Sequence, residues 1–278
     1  MGVKTNVSRT TLAPARQPAP RPAALARSRP PRTEVRCWVR VRDAVTNLLF
    51  PPQCVFCADE FELAPGELLL CAQCRENLDS AVIRCPACAL PAPSVAAADG
   101  RCATCRQSPP AFAEARVLGS YQGDMRQAVL KIKHVWYEPL ATTLGRLLAE
   151  RIEQMPLPAR PDWIVPVPMH WWRRLVRGTS AAETLAEMLS RRLSIPLAKS
   201  LVRCRRLTER QSTLPVSERR ENVRGAYAVS SACDIKGATI LVVDDVITTA
   251  ATCDEVARIL KRAGAERVFA AAVARAGT

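Results

Sequence analysis

The chain has 278 residues, with 40 Lys and Arg against 26 Asp and Glu for a net charge of +14, and 48% of its residues are hydrophobic. That composition is enough for one medium domain with its own core plus a small module, and the lack of any run of about 18 apolar residues excludes a transmembrane helix. The basic balance suits a diphosphate-bearing ligand or a nucleic-acid backbone, and charge alone does not separate the two.

In chain order, residues 1–36 are rich in Pro, Ala and Arg and lack the apolar stretch of a secretory signal. They are expected to form a disordered tail, either a solvated basic surface or a nucleic-acid contact. Trp38 to Phe50 carries Val41, Val45, Leu48 and Leu49 at helical spacing and is closed by Pro51-Pro52, so a short amphipathic helix is expected there.

A repeat follows. Cys54, Cys57, Cys71 and Cys74 form C-x2-C-x13-C-x2-C, and Cys85, Cys88, Cys102 and Cys105 reproduce it after a shift of 31 residues. Each C-x2-C turn supplies two thiolates and two turns close a tetrahedral zinc site, so two structural zinc ions are expected. The period favours two consecutive quartets, with an interleaved cross-brace (54, 57, 85, 88 and 71, 74, 102, 105) as the alternative. A disulfide framework fits poorly, and twelve cysteines with eight in zinc spacing suit a reducing cytoplasm. The ribbon module, with the helix before it, is assigned to residues 37–110 and a second domain to 111–278.

Within the second domain, strands are predicted at 115–121, 163–167, 226–229, 238–243 and 267–273. Helices are predicted at 124–134, 139–152, 181–193 and 253–262. Strands alternating with helices imply a parallel, doubly wound sheet, whose ligands sit at the carboxyl ends of the strands.

That position is occupied by Ile240 to Thr252, I-L-V-V-D-D-V-I-T-T-A-A-T. A short apolar strand ends in Asp244 and Asp245, and Thr248, Thr249, Ala250, Ala251 and Thr252 lead into a helix. The first turn of a helix presents unpaired N–H groups to an anion, and threonine hydroxyls add donors. The two acids stand where vicinal sugar hydroxyls or magnesium would be held. An ordinary βα unit with an acidic turn is the plainer reading.

This stretch resembles the phosphoribosyl-diphosphate signature of type I phosphoribosyltransferases. The motifs around it narrow the resemblance further. They are Tyr121, Gly123 and Arg126; Leu130, Lys131 and Lys133; Pro166 to His170; Arg173, Arg177 and Gly178; Gln211 and Leu214; and Arg219, Asn222, Arg224, Gly225 and Tyr227. In that order, behind paired zinc knuckles, they resemble the ComF family over roughly residues 45–275. The resemblance implies an α/β fold, a type I phosphoribosyltransferase-like parallel sheet flanked by helices and preceded by a small double zinc ribbon. It implies a phosphoribosyl-diphosphate pocket used with magnesium, and a link to uptake of transforming DNA. By the same resemblance Asp244 and Asp245 hold the ribose hydroxyls, residues 248–252 cradle the 5-phosphate, and His170, Arg173, Arg177, Arg219 and Arg224 meet or close over the pyrophosphate. His170 reads equally as a packed or solvent histidine, and Trp171-Trp172 as a packing feature. Two positions depart from the family pattern: Ala250 stands where Gly is usual, and Thr179-Ser180-Ala181 where F-N-Q is usual.

Two functions are therefore expected to compete. One is a transferase that stabilises charge as pyrophosphate leaves the ribose and needs no covalent nucleophile, its nitrogenous acceptor unspecified by the sequence. The other is a zinc-ribbon accessory protein binding single-stranded DNA beside DNA-uptake partners.

Overall fold

The computed structural model describes residues 51–277, apart from 65, 80–81, 92–99, 210–213, 216 and 231–232, and apart from the side chains of Arg173 and Arg177. The tail at 1–36, the helix expected over 38–50 and Gln211 lie outside the described residues. Residues Phe50–Thr278 make one compact unit.

The repeat in sequence is a repeat in structure. In each ribbon the first C-x2-C turn closes on itself. Cys54 N donates to Asp59 O (2.8 Å) and Ala58 N to Cys54 O (2.9 Å), and 31 residues later Cys85 N donates to Leu90 O (2.8 Å) and Ala89 N to Cys85 O (2.8 Å). The second knuckle of each ribbon opens a short helix, α1 (Ala72–Leu78) and α2 (Ala103–Gln107), capped by Cys71 and Cys102 in the same extended conformation.

The rest of the unit is α/β. Strands β1 (Ala115–Ser120), β2 (Trp163–Pro166), β5 (Thr239–Ile247) and β6 (Arg267–Arg275) form a wholly parallel sheet in the order β1-β6-β5-β2. Helices α3 (Gly123–Lys131) and α4 (Glu138–Gln154) join β1 to β2, with a single 3-10 turn at Val135–Tyr137 between them. Helices α5 (Trp171–Arg177) and α6 (Ala181–Leu193) follow β2. The chain then makes β3 (Val202–Cys204), α7 (Arg219–Val223) and β4 (Tyr227–Val229) before β5, and α8 (Ala251–Arg262) links β5 to β6. The strand expected over 226–229 does not join the parallel sheet; it pairs antiparallel with β3 in a separate two-stranded ribbon.

Alternation along the strands sorts side chains to two faces. Leu118, Ile164, Leu241, Val243, Phe269 and Ala271 pack against α3, α4 and α6. Val117, Val165, Ile240, Val242, Val268 and Ala270 pack against α8, Val223 and Tyr227. With helices on both faces the strands are buried over most of their length, which is why residues 240–243 of β5 and 268–274 of β6 read as continuous apolar runs.

The zinc ribbons are built into these layers. Phe56, Leu68, Leu70 and Leu78 of the first ribbon lie in the same core as α3 and α4. Lys131 Nζ donates to Phe56 O (2.8 Å), and Asp79 pairs with Arg151 of α4. Ala89 of the second ribbon is buried in the opposite core, and β1 begins by donating from Ala115 N to Pro86 O (3.0 Å).

Candidate functional site

The eight ribbon cysteines divide into the two consecutive quartets, Cys54–Cys57–Cys71–Cys74 and Cys85–Cys88–Cys102–Cys105, with all sulfurs in each within 4.8 Å of one another. The interleaved alternative is set aside. None of the described cysteines is in a disulfide. A zinc ion with sulfurs at about 2.3 Å has tetrahedral S···S edges of about 3.8 Å, and the Cys57–Cys71 and Cys88–Cys102 Sγ separations are 3.8 and 3.7 Å. The electrostatics ask for a cation as well. Burial opposes ionisation of Cys54, yet N–H donors at Cys57, Cys71 and Phe56 outweigh it and bring the thiol down to about 7. Cys85 is lowered in the same way. Burial pushes Cys74 and Cys105 well up, reinforced by neighbouring cysteines. Four thiolates cannot share so small a volume without a positive ion, and zinc supplies that charge.

The second site is a cleft of about 260 Å³ over the carboxyl ends of β2 and β5. Asp244, Asp245 and Val246 line it from the end of β5, and Thr248 and Thr252 from the turn into α8. Val167, Pro168 and Met169 enter from the segment after β2, and Thr179 and Ser180 from the start of α6. Tyr121 and Lys133 close one side, and Thr208, Glu209 and Tyr227 the other.

The acid pair is unequal. Burial drives the Asp244 carboxyl well above the usual range, and the negative charge of Asp245 pushes the same way, while Lys133 pulls it down. Its carboxylate accepts from Asp245 N (2.8 Å), and that of Asp245 from Val246 N (2.8 Å), so each side chain is held beside its own backbone. Lys133 Nζ lies 3.3 Å from Asp245 Oδ2. Beneath them Cys253 is fully enclosed, and burial and the two acids raise its thiol strongly.

Helix α8 starts at the edge of the cleft without a side-chain cap, because its N-cap residue is Ala250. Ala250 sits at φ 64°, ψ 2°, the left-handed conformation that glycine adopts at no steric cost. Thr249 Oγ1 is buried without a hydrogen-bond partner among the described residues.

The cleft therefore gathers Asp244, Asp245, Thr248 and Thr252, with Thr249, Ala250 and Ala251 adjoining. Three of the other candidates are placed outside its lining. His170 Nδ1 accepts from Trp172 N (3.3 Å) and caps α5. Arg219 Nε donates to Leu214 O (3.1 Å), and exposed Arg224 pairs with Glu221 one turn back (3.6 Å). Neither arginine nor His170 is among the residues lining the cleft. Arg173 and Arg177 fall on α5, and their side chains are not described. On the same helix Arg174 grips Glu183 of α6 through both guanidinium nitrogens (2.7 and 2.8 Å). Asn222 clamps the backbone of Glu209 in the cleft wall, accepting from its N–H (3.0 Å) and donating to its O (3.1 Å). Glu255 of α8 accepts from Gly225 N (3.0 Å) and anchors that segment below. Sequence reasoning passed over Lys133, Tyr121 and Tyr227 as cleft residues, although each stands in a motif. Thr208 has no motif to signal it.

The phosphoribosyl transferase domain family matches residues 138–278, half of the chain, and the double zinc ribbon domain family matches residues 45–106. Competence protein F of Haemophilus influenzae is 28% identical over 231 residues, 81% of this chain and 97% of that protein. The DNA utilization protein YhgH of Escherichia coli is 30% identical over 227 residues, 80% of this chain and 96% of that protein. Among solved structures, a purine phosphoribosyltransferase from Pyrococcus horikoshii aligns with 50% of this chain and 74% of its own at 21% identity and a TM-score of 0.31. With a phosphoribosyl transferase domain behind a double zinc ribbon, and a match along nearly the whole length of Competence protein F and YhgH, the chain belongs to the ComF family.

Proposed function

We propose that the cleft binds phosphoribosyl diphosphate with magnesium and transfers its phosphoribosyl group to a nitrogenous acceptor. The observation that carries this reading is the meeting of Asp244 and Asp245 with an uncapped helix N-terminus in one cavity. The acids would accept hydrogen bonds from the two ribose hydroxyls. The N–H groups of the first turn of α8, with Thr248 and Thr252, would take the 5-phosphate. The Thr249 hydroxyl, buried without a partner among the described residues, is one donor that a ligand could take up. Two carboxylates are what magnesium ordinarily takes from a protein when a ligand's phosphate oxygens complete its shell, so Asp244 and Asp245 suit it. Bound there, magnesium would neutralise charge on the departing diphosphate. Lys133, the cation lining the described cleft, would add to that neutralisation once drawn away from Asp245. The protein's contribution is then position and electrostatics, with no nucleophilic side chain required.

Calorimetric titration of the zinc-loaded chain with phosphoribosyl diphosphate and magnesium tests this. Saturable, magnesium-dependent binding that Asp245→Asn weakens is expected, and absence of binding by the parent refutes it.

A second reading is favoured by α5, where Trp171 and Trp172 are 60% and 53% exposed on an arginine-rich helix beside the cleft. Exposed aromatics next to cations can stack the bases of single-stranded DNA. This use would fit relatives named for competence and DNA utilization, with DNA-uptake proteins as partners. Salt-dependent single-strand binding lost in Trp171→Ala/Trp172→Ala, with no effect of phosphoribosyl diphosphate, would favour it. Among the described residues no helix is long and apolar enough to cross a membrane.

A further inference from the structure

The last residue of β6 is an arginine, 3% exposed, at the end of an otherwise apolar run buried on both faces. Arg275 Nε donates to Cys88 O (2.7 Å), within the second ribbon. One terminal nitrogen of the same guanidinium donates to Ile247 O (3.0 Å), to Thr248 O and to Ala276 O (2.5 Å). A single planar group thus spans from a zinc-ligand residue to the opening of the turn that enters α8. No ion pair with a carboxylate is formed by it among the described residues; its acceptors are neutral carbonyls, and the Cys88 side chain lies beside it.

A second guanidinium lies under the same ribbon. Arg84 donates to Ala89 O (3.2 Å) and to Ser120 Oγ (3.2 Å), its Nε buried without a partner among the described residues. A buried cation is costly unless an opposite charge is near. Four thiolates around a zinc ion carry a net charge of −2, which two guanidiniums balance. Around the first ribbon none of the described cations is buried: Lys131 reaches Phe56 O and lies over the Phe56 ring at 4.6 Å, Arg146 donates to Gly66 O and Glu67 O, and Arg151 pairs with Asp79.

We infer that Arg275 is a positioning residue that couples the metal of the second ribbon to the ligand cleft, by tying the Cys88 carbonyl to the Ile247–Thr248 carbonyls that begin the phosphate turn. The inference rests on the phosphoribosyl-diphosphate reading of the cleft. With the second quartet loaded, the guanidinium has its counter-charge and holds the turn. With the quartet empty, buried Arg275 and half-buried Arg84 lose that charge and the turn loses its anchor. Coupling of this kind is reciprocal: if zinc strengthens ligand binding, the ligand must strengthen zinc binding by the same factor.

The test uses the full zinc-loaded chain equilibrated with a competing chelator, with and without phosphoribosyl diphosphate and magnesium. Cysteine alkylation resolved by mass spectrometry reports which quartet retains metal. Retention at Cys85, Cys88, Cys102 and Cys105 should rise about fivefold or more on ligand binding. The first quartet should not respond, and it serves as the internal control for metal drawn off by the diphosphate itself. Arg275→Lys, which keeps the charge and loses the planar fork, should still bind both metal ions but lose the protection and bind ligand more weakly. Protection that persists in Arg275→Lys, or that is equal at both quartets, overturns the inference. Ligand binding without any change in metal retention overturns it too and leaves the cleft reading standing, whereas a parent that binds no ligand removes both. The comparison between quartets needs no variant, so a misfolded substitution does not shield the idea.

Discussion

Replacing Ala250 by glycine tests how the turn into α8 is strained. At φ 64° the Ala250 methyl crowds its own backbone, which costs a non-glycine residue roughly 1–2 kcal/mol. Glycine removes that cost but adds about 0.4–1 kcal/mol through the greater freedom of the unfolded chain. Because Ala250 is partly buried against the α8 core, losing its methyl contact removes a few tenths more, a fraction of the ~0.8 kcal/mol of a fully buried methylene. The balance is a stabilisation of about 0.5 kcal/mol, or about 1–2 °C in Tm for a unit of this size. Thermal unfolding of the zinc-loaded protein reads it, with Ala58→Gly as the comparison, since Ala58 has φ 68° in the first ribbon. If Ala250→Gly lowers Tm while Ala58→Gly raises it, the strain argument at the turn is wrong. If glycine also opens the phosphate turn, calorimetry should find tighter ligand binding in Ala250→Gly with metal content unchanged.

Further outcomes are expected at the cleft and the ribbons. Asp245→Asn keeps the shape but loses charge-assisted acceptance, worth roughly 1.5–3 kcal/mol, so phosphoribosyl diphosphate should bind about tenfold or more weakly by calorimetry. Asp244 should make binding depend on pH. Its folded pKa is raised, so between the unfolded value and that raised value the folded chain holds the extra proton, and stability falls as pH rises through the window. Over the same interval the ionised, cation-binding form grows, so magnesium-dependent affinity should increase with pH, with its midpoint moved down in Asp245→Asn. Affinity that does not change with pH would contradict the burial of that carboxyl. Cys71→Ser should release one metal ion and unfold the first ribbon by circular dichroism, whereas Cys233→Ser should leave metal content at two.

The parts legible in the sequence were those with a short-range signature. The 31-residue cysteine period gave both quartets and the limits of α6 match its apolar spacing, whereas the strand expected to stop at 243 runs on to Ile247 and carries Asp244 and Asp245 within its last residues. What escaped depends on long-range placement. Helix α5 is rich in Trp and Arg, and its exposed Leu175 and Val176 blur any amphipathic pattern. Strand β3 has three residues and exists only through pairing with β4. The cations expected at the cleft were chosen by motif order. Lys133 reaches it from the turn after α3, from a domain edge remote in sequence, while Arg224 stands in solvent. Arg275 lies beyond the strand expected over 267–273, and only the fold shows that its guanidinium is enclosed.

The packing of the first ribbon against α3 and α4 bears on how such a chain can be assembled or divided. Modules that recombine freely need closed interiors, so that cutting the linker exposes little. Here the cut would strip Phe56, Leu68, Leu70 and Leu78 from one wall and Ala89 from the other, leaving apolar surface open to water on both halves. A gene fragment carrying only the transferase half should therefore yield an aggregation-prone product.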